Sequence, residues 1–229
     1  NIDKGIYVAL LTHSGSRGFG AMIAGHYTQL AKKICKLPQE AKNLAYFDLN
    51  STEGQEYWLA MNLAGDYASA CHEIIHAKMA KALGAQILAK VENHHNFAWK
   101  EQWNSEEVIV HRKGATPASK DVMGIIPGSM TAPGFLVRGK GETNAIQSAS
   151  HGAGRQMSRT QAKKEISKTE FKSILNDHNV TLIGAGLDEA PMAYKNIDQV
   201  MEAQKDLVDV IAKFIPKLVR MADDGSRED

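Results

Sequence analysis

The spacing of apolar residues predicts both strands and helices along this chain. An uninterrupted apolar run at residues 5–11 leads into a polar, glycine-rich segment at 12–20, which is typical of a buried strand that presents His13 at its carboxyl end. Four further strands or extended pieces, separated by turn residues, are predicted at residues 87–98, 107–112, 122–126 and 134–138.

Helical spacing is clearest in the first half of the chain. After a cap at Ser51 or Thr52, apolar residues recur with helical periodicity until Gly84, so this segment is predicted to be the longest helix. A last helix is predicted between Pro191 and Pro216, with its apolar face running from Val200 to Ile215.

Composition narrows the class of protein. With 229 residues, 43% hydrophobic, the chain can bury one large core or two small ones, and it reads as a soluble globular protein. A net charge of +1 excludes a general attraction to nucleic acid, so RNA contacts would depend on local clusters such as Arg112-Lys113. Cys35 and Cys71 form no disulfide framework, which favours a reducing cytoplasm, and no segment is apolar enough for a membrane span or signal peptide.

The segment Ser148 to Arg155 carries the strongest chemical signal. It places His151 among small residues and two glycines, whose backbone N–H groups can approach an anion, and it ends on an arginine. Neutral imidazole is nucleophilic, so a covalent histidine–phosphate intermediate at His151 is chemically reasonable. The alternative is a glycine-rich turn that happens to contain a histidine.

Two other histidine segments are candidate metal or phosphate sites. His13 precedes hydroxyl residues, glycines and Arg17, which suit a metal-bound phosphate, although a turn histidine is the alternative. Residues 93–97 (NHHNF) are predicted to be extended, so that His94 and His95 point to opposite faces and only one of them reaches a given metal. An exposed polar strand end is the alternative there.

Residues 72–76 (HEIIH) offer a competing interpretation. On a helix, His72 and His76 would lie one turn apart and could bind zinc, with Glu73 as the general base of a hydrolase. No G-x-x-H continuation follows Ala77, so histidines on the surface of a helix or beside its core face are the favoured explanation.

Six motifs in one order give the chain a family resemblance. It resembles the C-terminal two-thirds of an RtcB-type RNA ligase over nearly its whole length, through residues 13–18 (HSGSRG), 94–96 (HHN), 110–116 (VHRKGAT), 127–130 (PGSM), 151–155 (HGAGR) and 189–195 (EAPMAYK). The resemblance implies an α/β (mixed α+β) fold with mixed sheets and flanking helices around a metal-containing cleft. Residues 1–222 would form the ligase core, and 223–229 a frayed tail.

The resemblance also implies a reaction. The family uses manganese and GTP to join RNA ends bearing a 2′,3′-cyclic phosphate or 3′-phosphate to 5′-hydroxyl ends. His151 matches the histidine that becomes guanylylated, and His13 and His95 match two metal ligands.

Further positions are assigned to the nucleotide and to RNA. Ser129, Ala153 and Gly154 fall where the family contacts the nucleotide, and Tyr194 matches the aromatic residue near guanine. Charge, more than resemblance, suggests that RNA phosphates are contacted by Arg17, Arg112 and Lys113.

Departures from the family pattern indicate a divergent subfamily. The chain contains neither the D-x-x-C-G nor the G-G-N-H-F-like motif that supplies other metal ligands, residues 130–134 depart from G-S-M-G-T, and residues 221–223 (MAD) replace a terminal Lys-Gly pair. The sequence therefore leads us to expect a further segment upstream of Asn1. We also expect this chain alone to bind metal weakly and not to ligate RNA. A non-catalytic nucleotide- or RNA-binding paralogue, or one part of a longer or split enzyme, is the alternative.

Overall fold

The computed structural model describes residues 3–221 and divides the chain into two compact units, residues 3–89 and 90–221 of this range. Helices and strands both contribute, so the predicted mixed α/β class is confirmed. The predicted frayed tail at 223–229 lies outside the described residues. Among the helices of the described range, none combines the length and apolar character needed to cross a bilayer.

The first unit consists of two helices and a short 3-10 helix. Helix α1 covers Arg17–Ile34, the 3-10 helix covers Gln39–Leu44, and helix α2 covers Thr52–Leu83. The Ser51 side chain accepts a hydrogen bond from the Gly54 N–H, and Gly84 ends α2 in the left-handed conformation. The prediction of this long helix and both of its boundaries is confirmed.

Aromatic side chains pack inside the first unit. Tyr57 of α2 lies 5.2 Å from Tyr27 and 5.8 Å from Phe47 between ring centroids, and burial raises the pKa of Tyr57. The strand predicted at residues 5–11 is wrong, because these residues form neither helix nor strand and the Ile6 and Val8 side chains are exposed. A strand needs a partner for its backbone groups, and the described part of the first unit contains no strand.

Four small sheets form most of the second unit. The antiparallel pairs are β1 (Asn96–Trp103) with β2 (Glu106–Lys113), and β3 (Ala115–Pro117) with β6 (Ser148–Ser150). A three-stranded antiparallel sheet contains β4 (Met123–Ile126), β5 (Gly134–Gly139) and β8 (Val208–Phe214), and β7 (Thr181–Gly184) runs parallel to β9 (Leu218–Arg220). The helices are α3 (Arg159–Glu165), α4 (Lys168–Asp177) and α5 (Ile197–Ala203).

The strand predictions for the second unit are largely confirmed. Those at 107–112, 122–126 and 134–138 correspond to β2, β4 and β5, whereas the one at 87–98 is wrong up to residue 95. The helix predicted up to Pro216 is also wrong beyond Ala203, because Val208–Phe214 pairs with β5 as a strand. Its β-branched residues suit a strand, and the tertiary pairing decides between the two periodicities.

Two apolar clusters hold the second unit together. One joins the three-stranded sheet to the β6 region and α5, through the buried residues Ala118, Ile126, Phe135, Val137, Ala149, Ala153, Ile197 and Val208. The other packs α3 and α4 against the segment before α5, through Met130, Ala162, Ile166, Phe171, Leu175, Val180, Ala190 and Ala193. Ala153 belongs to the first cluster and Met130 to the second. The two segments predicted to contact the nucleotide are therefore packed into different cores.

Candidate active site

Gly114, between β2 and β3, brings His95 and His151 together. Its N–H donates to the His95 carbonyl at 2.9 Å, and its own carbonyl accepts from the His151 backbone N–H at 3.3 Å. The two imidazole rings lie 4.8 Å apart between centroids, inclined by 37°. The predicted metal ligand and the predicted nucleophile are therefore neighbours, although they are far apart in the sequence.

A second hydrogen bond to Gly114 determines which nitrogen of the neutral His151 ring carries the proton. Its Nδ1 lies 2.8 Å from the Gly114 carbonyl oxygen. A carbonyl oxygen only accepts hydrogen bonds, so Nδ1 must carry the proton, and in the neutral ring the lone pair is on Nε2. The tertiary structure thus selects the tautomer in which Nε2 can act as a nucleophile.

His94 and His95 have different neighbours. The ring of His95 lies beside His151, whereas the ring of His94 lies 5.7 Å from that of Phe97. That only one of the two adjacent side chains reaches a given metal stays a prediction. The ring contacts leave His95 as the candidate that accompanies the nucleophile.

Replacing Gly114 by alanine tests how far this turn positions His151. Gly114 has φ +68°, and an added Cβ would lie 3.5 Å from two atoms of the His151 ring. We expect Gly114→Ala to destabilise the protein by about 1–2 kcal/mol through left-handed strain, and to shift the 15N resonance of His151 Nδ1. Urea unfolding and NMR measure the two effects.

Gly84→Ala is the matched control. Gly84 has φ +61° but no atom within 4 Å of an added Cβ, so its replacement adds comparable strain without an added contact to a histidine ring. It should lower stability without moving the His151 resonance. Equal resonance shifts in the two variants would contradict a specific role for Gly114.

Two of the segments predicted to contact a nucleotide are hydrogen-bonded to each other. The Ala153 N–H donates to the Pro127 carbonyl at 2.9 Å, which joins the PGSM segment to the HGAGR segment. The Ser129 hydroxyl accepts from the Ala132 N–H at 3.2 Å, and Gly154 has φ +71° with open space where a Cβ would be. Ala153 is buried and its N–H is occupied, so Gly154 is the more accessible of this pair.

Tyr194 is held in a network centred on a buried carboxylate. Its hydroxyl donates to Glu189, which is 3% exposed, and the Arg155 guanidinium lies 5.1 Å from the centroid of its ring. Burial, followed by the bond to Glu189, raises the pKa of the Tyr194 hydroxyl well above its ordinary value. Arg159 also pairs with Glu189. The phenol is therefore neutral and fixed in place.

A second carboxylate extends this network. Asp188 accepts a hydrogen bond from Arg159 at 2.9 Å and lies 3.5 Å from the ammonium group of Lys163. Burial alone would raise the pKa of Asp188, but the bond from Arg159, a backbone bond and the charges of Lys163 and Arg159 together lower it. Asp188 and Glu189 had no predicted role, since their cationic partners come from a distant segment of the chain.

Arg112 is part of the interior. Its side chain is 1% exposed and forms an ion pair with Glu101 at 2.6 Å, a hydrogen bond to the Ser148 hydroxyl at 2.8 Å and another to the Ile146 carbonyl at 3.1 Å. It also lies 5.0 Å from the centroid of a Trp99 ring. The position does not support the RNA contact predicted for Arg112, because the guanidinium is enclosed by protein groups. Lys113 is exposed.

In the first unit, His13 and Arg17 are both exposed. Nε2 of His72 lies 2.9 Å from the Ser14 carbonyl, and Nε2 of His76 lies 2.9 Å from the Thr12 hydroxyl. These bonds direct both Nε2 atoms of the HEIIH segment at protein groups. The zinc-hydrolase interpretation is therefore not supported by their geometry.

The described residues do not form a complete metal site. Within residues 3–221, no group of three or more His, Cys, Asp and Glu side chains is arranged to hold an ion. His95 and His151 supply two nitrogen donors, whereas manganese is better suited to oxygen ligands. The donor set seen here thus does not by itself fit manganese.

Comparisons with known proteins agree with the motif pattern. The family model described as "tRNA-splicing ligase RtcB" matches residues 2–222. The RNA-splicing ligase RtcB of Escherichia coli K12 is 40% identical, over 92% of this chain and 55% of that protein. The tRNA-splicing ligase RtcB of Nanoarchaeum equitans is 32% identical, over 94% and 53%. This chain spans about half the length of the curated relatives that it matches.

Proposed function

Because this chain belongs to the RtcB family, we propose that it carries the guanylyl-transfer site of an RNA ligase that joins 3′-phosphate or 2′,3′-cyclic phosphate ends to 5′-hydroxyl ends. One observation carries the proposal: the Gly114 carbonyl accepts from Nδ1 of His151 and leaves Nε2 as the nucleophilic nitrogen.

From a 3′-phosphate end, the chemistry proceeds in three displacements, whereas a 2′,3′-cyclic phosphate must first be opened by water to the 3′-phosphate. Nε2 of His151 attacks the α-phosphorus of GTP, so that an N–P bond forms, the bond to the bridging oxygen breaks and pyrophosphate leaves. An oxygen of the RNA 3′-phosphate then attacks the same phosphorus, which releases His151 and leaves GMP on the RNA end. The RNA 5′-hydroxyl finally attacks the RNA 3′-phosphorus, loses its proton and expels GMP.

The surroundings of His151 support binding of a nucleotide. Ser129, Ala153 and Gly154 lie in two segments that the Ala153–Pro127 hydrogen bond joins beside the histidine. The backbone of Arg155 pairs with that of Tyr194, so the proposed guanine-contacting residue belongs to the same neighbourhood. In this proposal, Tyr194 offers its ring to guanine, while its hydroxyl stays with Glu189.

Manganese and RNA remain part of the proposal. Dependence on manganese, with His13 and His95 among its ligands, is proposed from the family pattern, and no step above is assigned to the metal. Lys113 and Arg17 are exposed and are the proposed contacts to RNA phosphates. Arg112 is left out of this proposal because it is buried. Two free cysteines and an RNA substrate support a cytoplasmic location.

The test is a joining assay. The protein is expressed from its complete natural reading frame and incubated with manganese, GTP, an RNA ending in a 3′-phosphate and an RNA beginning with a 5′-hydroxyl. We expect a joined product that requires GTP, whereas omission of GTP or replacement of the 3′-phosphate by a 3′-hydroxyl should prevent joining. Binding of GTP and RNA without any joined product would instead identify a non-catalytic binding module.

A further inference from the structure

We infer that His72 and His76 are positioning residues that hold His13 in place from both sides. This rests on the proposed function only in giving His13 the role of a metal ligand. The two histidines lie four residues apart on α2, so their side chains share one face of that helix. One reaches the residue before His13, and the other reaches the residue after it.

The donors and acceptors make the pair complementary to the segment. The Ser14 carbonyl can only accept, so His72 must donate through its Nε2–H. Nε2 of His76 meets the Thr12 hydroxyl, which can donate or accept. The segment is thus anchored on both sides of His13, through the side chain of Thr12 and through the backbone of Ser14.

The segment has no regular secondary structure. Residues 3–16 form neither helix nor strand, so no regular ladder of backbone hydrogen bonds fixes Thr12 to Ser14. The Ser14 hydroxyl is buried and has no hydrogen-bond partner among the described residues. At Ser14, the local conformation therefore depends on the hydrogen bond from His72 to the carbonyl and not on the hydroxyl.

Helix α2 is a suitable support for such anchors. It covers Thr52–Leu83 between a hydrogen-bonded cap at Ser51 and a left-handed glycine end at Gly84, so His72 and His76 lie within a continuous run of helical backbone hydrogen bonds. A ligating imidazole must be held close to its productive geometry, and groups that orient a ligand commonly change metal affinity by about 10- to 100-fold. The HEIIH segment thus acts through His13 without binding the metal itself.

The experiment compares leucine and glutamine variants. His72→Leu and His76→Leu remove the hydrogen-bonding nitrogen, whereas His72→Gln and His76→Gln keep an amide near the position of Nε2. Backbone 15N relaxation of the metal-free protein reports on residues 12–15. We expect their order parameters to fall from about 0.85 toward 0.6 or lower in the leucine variants, and to be restored in the glutamine variants.

His26→Leu is the control, because His26 is exposed on α1 and its ring contacts Tyr27. It should leave residues 12–15 ordered. Unchanged order parameters in both leucine variants would overturn the inference. If a leucine variant fails to fold, His72→Asn or His76→Asn takes its place, because the shorter asparagine amide cannot reach the segment. Disorder confined to residues 12–15 in the asparagine variant would support the inference, and retained order would overturn it.

Manganese titration separates this inference from the proposed function. In protein from the complete reading frame, each leucine variant should raise the manganese dissociation constant about tenfold, by analogy with other groups that orient ligands, while the urea midpoint stays near that of His26→Leu. Disordered residues 12–15 with unchanged manganese affinity would support the anchoring and refute the ligand role of His13. Ordered residues with reduced affinity would refute the anchoring.

Discussion

Replacing His151 by alanine is expected to abolish covalent labelling of the protein by α-32P-labelled GTP. The parent protein, expressed from its complete reading frame with manganese present, should form an acid-labile phosphoramidate on this residue. The reason is specific to the fold, because the Gly114 carbonyl holds the Nδ1 proton and leaves Nε2 available. Without that nitrogen, no other atom of the turn can form the N–P bond, so labelling should fall to background.

Two controls make this result specific. His151→Asn keeps an N–H that can donate to the Gly114 carbonyl but removes the nucleophilic nitrogen, so it should also be unlabelled. His178→Ala removes a ring whose Nδ1 contacts the Ile174 carbonyl at 2.9 Å, the same local arrangement at the end of α4. It should be labelled normally. Full labelling of His151→Ala would show that another residue is the nucleophile.

Replacing Arg112 by methionine should destabilise the second unit strongly. Removing one partner of a buried ion pair commonly costs about 3–5 kcal/mol, because the remaining charge stays uncompensated. Glu101 keeps 22% of its side chain exposed, so we expect the lower part of this range. Urea unfolding followed by far-ultraviolet circular dichroism measures the loss.

The same pair predicts how stability varies with pH. Burial alone would raise the pKa of Glu101, but hydrogen bonds from Arg112 and Trp103 and the Arg112 charge lower it overall. A lowered pKa in the folded state means that the pair stabilises the protein above the ordinary carboxyl pKa, near 4.3, and that this contribution is lost as pH falls through the lowered value. Arg112→Met should remove this part of the acid sensitivity.

The neighbouring Lys113 supplies the control for Arg112. Lys113→Met removes an exposed charge from the same strand and should change stability by less than about 0.5 kcal/mol. The double variant Arg112→Met, Glu101→Gln should recover part of the loss, because no charge is then left unpaired. A stable Arg112→Met protein with weakened RNA binding would instead restore the original RNA-contact interpretation.

Local patterns predicted the elements whose signals were unambiguous. Helix α2 has a serine cap, a long helical periodicity and a glycine end, and the structure places it between those signals. The strand predicted at 5–11 and the helix predicted through 208–214 were wrong, because the spacing of apolar residues does not show whether a partner strand is available. The first run lies in a unit with no strand among its described residues, and the second pairs with β5.

The sequence by itself determined the family motifs and the identity of the candidate nucleophile, since these depend on which residue types stand in which order. Only the tertiary structure decided how the side chains are used. It gave His151 its tautomer through Gly114, enclosed Arg112 with Glu101 and turned His72 and His76 toward Thr12 and Ser14. The physical reason is that charge and hydrogen-bonding capacity belong to a residue, whereas partners and burial depend on segments that are distant in the chain.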